Sequence, residues 1–253
     1  MNLPLPAPSA RPLLASCGSP LTSAPSVRGR RAFTLIEMLV VMAIIGVLAG
    51  LTLAGFGAIK KKTRLARVQG ELARIETAIE SYKQELGFYP PDNPPPVPPP
   101  APLTAEAAKE IWACATPLYY ELSGTVLKGP NYQTVEGNEV IGTNLILTHF
   151  GRAGFANAST DKNQVKNFLP TLKDAGYKEA FQGVDVELLV VPVEGPALTN
   201  GFAWKLAPDN VNPWRYVSTK PVNRPGEFDL WADILISGKL YRVSNWAEPA
   251  ELK

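Results

Sequence analysis

The chain has 253 residues, a formal net charge of +2 and 45% hydrophobic residues, a composition typical of a folded protein with one or two domains. Residues 1–32 carry four arginines and no acid, which leaves 21 basic and 23 acidic residues in the rest of the chain. That balance excludes the strongly basic surface typical of nucleic-acid binding. The only histidine, His149, excludes histidine-cluster metal sites and disfavours a histidine-dependent triad. We therefore expect no enzyme, and we expect His149 to be a hydrogen-bonded structural residue.

Residues 1–32 are rich in Pro, Ala and Ser and contain no pattern that could form a core, so we interpret them as a leader. Two other export signals fit less well. Leu14-Ala15-Ser16-Cys17 is similar to a lipobox but lacks an apolar region before it. Arg30-Arg31 is similar to a twin-arginine signal, but an acid interrupts the apolar region that follows.

A continuous apolar segment runs from Phe33 to Ile59, and its only charged residue is Glu37. At about 1.5 Å per residue, such a helix is about 40 Å long and could cross a bilayer core of about 30 Å. A carboxylate within a membrane segment is costly and indicates a function, although Glu37 would be inert if it lay among the lipid headgroups. Gly46 and Gly50 form a G-x-x-x-G pair, which lets helices approach closely.

Residues 31–46, Arg-Ala-Phe-Thr-Leu-Ile-Glu-Met-Leu-Val-Val-Met-Ala-Ile-Ile-Gly, resemble the class III signal of type IV pilins and type II secretion pseudopilins. The resemblance implies that a prepilin peptidase cuts between Ala32 and Phe33 and methylates the new amino terminus. Ala32 departs from the glycine that usually precedes the cut. The resemblance also implies a single-pass anchor in the bacterial inner membrane, with the C-terminal domain in the periplasm.

Cleavage would place the free amine of Phe33 four residues before Glu37, about 6 Å along the helix. In a filament of staggered subunits, the Glu37 carboxylate of one subunit could pair with the Phe33 amine of its neighbour, which would fix the register of assembly. The resemblance implies a self-assembling subunit. Its further partners would be minor pseudopilins, the prepilin peptidase and the inner-membrane secretion platform.

The helix is predicted to continue through residues 60–87, because apolar residues recur there at three- and four-residue steps. These are Leu65, Val68, Leu72, Ile75, Ile79, Tyr82 and Leu86. A coiled-coil stalk would give the same pattern. Gly87-Phe88-Tyr89-Pro90 resembles the G-x-Y-P that ends this helix in G-type pseudopilins. Residues 88–103 are rich in proline and are predicted to be a polyproline II spacer, with a ligand for an SH3-like domain as the alternative.

Residues 104–180 are predicted to form an insertion of helices and loops. A helix over residues 104–122 is expected to begin with Thr104 as its N-cap and to be interrupted at Pro117. The other predicted elements are a single strand within the loops of residues 123–160 and a short bent helix over residues 164–175.

Residues 181–253 are predicted to form an antiparallel sheet, because stretches of β-branched and aromatic residues alternate with Pro, Gly and Asn. The stretches are Val184–Val193, Trp214–Thr219, Glu227–Ile236 and Leu240–Ser244, with a tight turn at Ser237-Gly238-Lys239. The expected fold is therefore α+β and pilin-like. A long N-terminal helix, transmembrane in its first half, would pack on this sheet, and a large insertion would lie between them.

Two short motifs, Asn212-Pro213-Trp214 and Asn245-Trp246, resemble the sheet of G-type pseudopilins. That family holds a calcium ion in a loop of this region, and the nearest acids here are Asp229 and Asp233, so the resemblance makes calcium a candidate cofactor. The regular run Ile234–Val243 replaces the family's long loop, however. Acids at this even spacing are also expected if they share the solvated face of a strand.

Cys17 lies in the leader, so Cys114 would be alone after cleavage and is expected to be a buried apolar residue. Type IVa adhesive pilins have a C-terminal disulfide loop that G-type major pseudopilins lack, so the resemblance favours type II secretion. The predicted function is a pseudopilin subunit. The alternatives are a type IV pilin for adhesion, DNA uptake or motility, and a membrane-anchored periplasmic enzyme or binding module.

Overall fold

The structure is a computed structural model that describes residues 33–95, 104–136, 139–169, 177–181, 184–196 and 212–252. The chain divides into two compact units, residues 1–52 and residues 53–253. The predicted leader, residues 1–32, lies outside the described residues. By length and hydropathy, none of the helices in the described ranges qualifies as a membrane span.

Helix α1, Leu35–Leu86, is 52 residues long and forms where the sequence predicts a long N-terminal helix. From Phe33 to Leu48 its large apolar side chains are 49–83% exposed. In the second unit the predicted apolar stripe is buried, and Val68, Ile75, Ile79 and Tyr82 are each 0% exposed. The helix ends where Gly87 adopts a φ of +84°, a conformation that favours glycine.

Helices α2, Ala105–Cys114, and α3, Leu118–Ser123, confirm the predicted interrupted helix. The Thr104 hydroxyl accepts a hydrogen bond from the Ala107 backbone N–H at 3.2 Å and so caps α2, as predicted. Pro117 lies directly before α3 and has no N–H to continue a helical ladder.

The prediction that residues 123–160 are mainly loop is wrong. They contain four short strands, β1 (Thr125–Lys128), β2 (Asn131–Thr134), β3 (Val140–Gly142) and β4 (Ala158–Ser159), and helix α4 (Thr143–Phe150). The strand order is β3-β2-β1-β4, with β4 parallel to β1 and the other pairs antiparallel. The strands are too short for a two-residue alternation to show in the sequence.

The bent helix predicted over residues 164–175 does not form where the structure describes it. A single 3₁₀ turn spans Lys162–Gln164, and residues 165–169 are not helical. The remaining residues of the predicted helix, 170–175, lie outside the described residues.

The predicted C-terminal antiparallel sheet forms from three of the four predicted stretches. The prediction that Val184–Val193 belongs to it is wrong, because that stretch supplies a strand of a separate hairpin. The sheet consists of β7 (Arg215–Val217), β8 (Asp229–Ile236), β9 (Lys239–Ser244) and β10 (Ala250–Glu251), in the order β10-β9-β8-β7. A separate antiparallel hairpin pairs β5 (Tyr177–Phe181) with β6 (Val184–Leu189). The predicted tight turn joins β8 to β9, and Ser237 and Gly238 have positive φ values of 53° and 77°, as a two-residue hairpin turn requires.

One continuous cluster of buried side chains joins the stripe of α1 to alternate residues of β8. Leu230, Ala232 and Ile234 are each 0% exposed and lie on the core face of the strand. The opposite face of the sheet carries Arg215, which is 1% exposed and pairs with Glu110 of α2. This second contact closes the sheet between α1 on one side and α2 on the other.

The first residues of the proline-rich segment are packed into the domain, which a spacer does not explain. The Pro90 carbonyl accepts a hydrogen bond from the Tyr216 hydroxyl at 2.8 Å. Asp92, 2% exposed, accepts from the Ser218 backbone N–H at 2.9 Å. The Asn93 side-chain amide donates to the carbonyls of Ala115 and His149. Residues 90–93 therefore tie the end of α1 to the sheet and to the helices, while residues 96–103 lie outside the described residues.

Candidate processing and assembly site

The amino-terminal end of α1 is built around a reciprocal pair of hydrogen bonds. The Glu37 carboxylate accepts from the Thr34 backbone N–H at 2.8 Å and from its hydroxyl at 3.0 Å. The Glu37 backbone N–H donates to the Thr34 hydroxyl oxygen at 3.3 Å. This is a capping box, which satisfies N–H groups that have no partner within the helix. Our sequence reasoning missed it, although Thr34-Leu35-Ile36-Glu37 has the T-x-x-E spacing.

Phe33 lies one residue before the cap, is not helical and is 75% exposed. An amine freed at Phe33 would sit at the positive end of the helix dipole, where a cation is unfavourable. The negative charge of the Glu37 carboxylate, in the first turn of the helix, offsets the positive charge of that amine. Ala32, the other half of the predicted cleavage site, lies outside the described residues.

Gly46 and Gly50 lie on the exposed part of α1, and a Cβ added to either would meet no atom within 4 Å. The single chain therefore leaves this surface open. That space is compatible with close approach of a second helix, and the role of the two glycines in helix packing stays a prediction.

Asp229, one of the two acids named as calcium ligands, is 3% exposed and fully engaged by a neighbouring loop. It accepts hydrogen bonds from the backbone N–H groups of Val222, Asn223 and Arg224 at 2.8, 3.0 and 2.9 Å. It also accepts from the Asn223 side-chain amide at 3.1 Å. Asp229 therefore closes the loop between β7 and β8.

Asp233, the second acid, is 4% exposed and forms a two-bond pair with Arg242, both bonds at 2.8 Å. The two residues face each other in the register of β8 and β9, and such paired bonds are strong and directional. The pair could have been found by counting outward from the predicted turn. Both acids are buried, so the expectation of a solvated strand face is wrong.

These two carboxylates do not fit a calcium site, because donors of the chain itself already occupy their oxygens. Calcium needs six to eight oxygen ligands, and the described ranges hold no group of three or more acidic, histidine or cysteine residues that could bind a metal. Arg242 supplies positive charge to Asp233, and the loop amides supply hydrogen-bond donors to Asp229.

We expect the melting temperature of the protein to be the same in excess calcium and in EGTA. A calcium site filled to about one hundred times its dissociation constant would stabilise the fold by about 2.7 kcal/mol and raise the melting temperature by about 5 °C or more. Arg242→Gln serves as the positive control, since it removes a partner of Asp233 and should lower the melting temperature in both buffers. A clear drop in EGTA alone would overturn this assignment.

Cys114 and His149 are two further residues whose side chains could do chemistry, and both are at least partly buried. Cys114 is 4% exposed and free, and burial raises the pKa of its thiol to about 12, which removes nucleophilic character at neutral pH. His149 is half-buried near the end of α4, and desolvation lowers its pKa, which favours the neutral ring.

Comparisons with known proteins match the amino-terminal region. Residues 27–53 match the family described as the prokaryotic N-terminal methylation motif. The type IV major alpha-pilin of Moraxella bovis is 40% identical over 55 residues, which cover 22% of this chain and 35% of the pilin. The type II secretion system core protein G of Escherichia coli K12 is 36% identical over 64 residues, 25% of this chain and 44% of that protein. Its counterpart in Klebsiella pneumoniae is 38% identical over 61 residues, 24% and 44% of the two chains.

No solved structure matches the chain significantly. The aligned stretch spans less than half the length of the relatives named above. It confirms the resemblance to type IV pilins and to core protein G over the amino-terminal region, which is where the processing signal was predicted. The chain thus carries a prepilin-type amino terminus. Whether residues 104–180 are an insertion relative to these proteins stays a prediction.

Proposed function

We propose that the chain is a pseudopilin that polymerises into the periplasmic pseudopilus of a type II protein secretion system. The observation that carries the proposal is the match of residues 27–53 to the methylation motif. Glu37 lies within that stretch, in the first turn of α1, and the large apolar side chains from Phe33 to Leu48 are exposed. The relatives that share this region are named as pilins and as secretion core proteins, so we assign a structural rather than an enzymatic role.

In the proposed mechanism, the apolar run from Phe33 to Ile59 anchors the subunit in the inner membrane with its C-terminal domain in the periplasm. The prepilin peptidase cuts before Phe33 and methylates the new terminus. Subunits then leave the bilayer and stack through α1, and pairing of Glu37 with the Phe33 amine of a neighbour fixes their register. The growing filament pushes folded proteins outward, with minor pseudopilins and the inner-membrane secretion platform as partners.

The Gly87-Phe88-Tyr89-Pro90 segment at the end of α1 supports secretion over a type IV pilus, because its sequence resembles the G-type motif. In this segment the Tyr89 ring packs against Phe228 at 5.2 Å between centroids. The Tyr89 hydroxyl donates to Glu80 at 3.2 Å, so the segment docks α1 onto the sheet. The similarity to a Moraxella bovis pilin favours the second candidate, a type IV pilin. Loss of the gene separates them, since only a pseudopilin is needed for release of folded periplasmic proteins.

We expect mass spectrometry of the protein purified from membranes to show a chain that begins with N-methylated Phe33. Ala32→Gly should be cut at least as completely as the natural chain, because it supplies the family's usual residue. Ala32→Leu is the matched control, and its larger side chain should leave the leader attached. A natural chain that retains residues 1–32, or that is trimmed at another position, would refute the proposed function.

A further inference from the structure

Three exposed basic residues, Lys60, Lys62 and Arg64, follow directly after the apolar run of α1, and we refer to them as the basic collar. None of their side chains forms a hydrogen bond or an ion pair with another residue that the structure describes. Their neighbour Lys61 differs, because its ammonium group lies 4.3 Å from the centre of the Tyr241 ring.

The charge of the collar is not compensated along the helix. No acid occurs between Glu37 and Glu71. Burial raises the pKa of Glu71 to about 7, and the next two cations on α1, Arg67 and Arg74, lower it in turn, so these two cations have an acidic neighbour. The collar therefore presents three exposed positive charges, and no acid precedes Glu71 on this part of α1.

The angular spacing of the collar fits a flat surface better than a single partner helix. Successive residues of an α-helix are about 100° apart, so Lys60 and Lys62 project from nearly opposite sides. A packed neighbouring helix would meet only one of those sides. From Lys60 to Arg64 the collar spans about 6 Å along the axis, which matches a headgroup layer about 5–8 Å thick.

We propose that Lys60, Lys62 and Arg64 bind the phosphate groups of anionic lipids at the membrane surface and so hold the unassembled subunit at a fixed depth. The inference rests on the proposed membrane-anchored function. Lys60 directly follows Ile59, the last residue of the apolar run that the proposed function places in the bilayer, so the collar would lie at the membrane surface. Basic residues next to a membrane segment are attracted to anionic lipids through their surface charge.

The collar would also act at the step between insertion and assembly. A subunit that joins the filament leaves the bilayer, so its collar must exchange lipid phosphates for water or for groups of other subunits. The collar therefore favours the membrane pool over the filament, which opposes the attraction between Glu37 and the neighbouring amine.

The test is native mass spectrometry of the cleaved, unassembled chain in detergent, titrated with phosphatidylglycerol or with phosphatidylcholine of the same acyl chains. We expect phosphatidylglycerol to bind at least about tenfold more tightly. The triple variant K60Q/K62Q/R64Q should bind the two lipids equally. The control K109Q/K162Q/K220Q removes the same charge from exposed positions elsewhere and should keep the preference.

Equal binding of both lipids by the natural chain, or an unchanged preference in K60Q/K62Q/R64Q, would overturn the proposal. The proposal would also be overturned if K60Q/K62Q/R64Q kept its lipid preference but formed fewer oligomers in lipid-free detergent. The collar would then be a contact with a second copy of the chain. The experiment does not require a filament. A chain cut before Phe33 that assembles without a lipid preference refutes this inference alone, whereas a chain that is never cut there refutes the proposed function.

Discussion

Glu37→Ala is expected to leave membrane insertion and cleavage intact and to reduce the amount of assembled filament by more than about tenfold. In the proposed filament the carboxylate and the Phe33 amine of a neighbour are both removed from water. Removal of one member of such a pair leaves the other charge buried without a partner, which is strongly unfavourable. The measurement compares the assembled filaments pelleted from a periplasmic extract with the membrane fraction by immunoblot, and mass spectrometry confirms the mature terminus.

Two variants separate the charge of Glu37 from its capping role. Glu37→Gln keeps an acceptor for the Thr34 N–H, as glutamine does in other capping boxes, but it removes the charge. Thr34→Ala removes the hydroxyl of the box and leaves the carboxylate. If charge pairing fixes the register, Glu37→Gln fails to assemble and Thr34→Ala assembles. Normal filaments from Glu37→Gln would show that the residue acts through the helix cap alone.

The elements that could be predicted from the sequence are those whose signal is local and long. Helix α1 has a periodic stripe of seven apolar residues, and the β8–β9 hairpin combines two apolar strands with a glycine turn. By contrast, β4 has two residues and pairs in parallel with β1, with Thr125 opposite Ala158. A strand of that kind is formed by distant contacts rather than by its own propensity, so nothing in its sequence indicates it.

The same distinction between local signals and distant contacts applies to the residues of the candidate site. Glu37 and Phe33 could be identified because processing signals are linear. The environment of Asp233 could have been derived too, since Arg242 follows from the hairpin register. The environment of Asp229 could not, because the N–H groups of residues 222–224 converge on it only through the fold of a loop.

Glu121 is the residue that sequence reasoning missed altogether and whose loss should be most damaging to the fold. It lies in α3, is 0% exposed and has no cationic hydrogen-bond partner among those described for it. Its carboxylate accepts from the backbone N–H groups of Ala156 and Asn157, both at 2.9 Å, and from the Tyr82 hydroxyl at 3.0 Å. Burial raises the pKa of this carboxyl, and the three donors pull the pKa the other way.

We expect Glu121→Ala to lower the free energy of unfolding by about 3–5 kcal/mol and the melting temperature by about 6–15 °C. It would leave three buried donors without an acceptor, at a cost of about 1–3 kcal/mol each before relaxation. Thermal unfolding of the cleaved chain, followed by circular dichroism, gives the measurement. The matched control is Glu85→Ala, which removes a half-exposed pair with Lys166 and should cost less than about 1 kcal/mol.

Tyr82→Phe shows how much of this loss of stability comes from the contact with α1, because it removes only the hydrogen-bond donor on that helix. The carboxylate then keeps its two backbone donors, so the expected loss is about 1 kcal/mol, well below that of Glu121→Ala. Equal decreases in melting temperature for Glu121→Ala and Glu85→Ala would contradict the assignment of the Glu121 carboxylate as buried and fully hydrogen-bonded. Since Tyr82 lies on the buried stripe of α1 and Ala156 follows α4, the same carboxylate joins the long helix to the residues between α1 and the C-terminal sheet. Its loss should therefore loosen that region while cleavage before Phe33 proceeds normally.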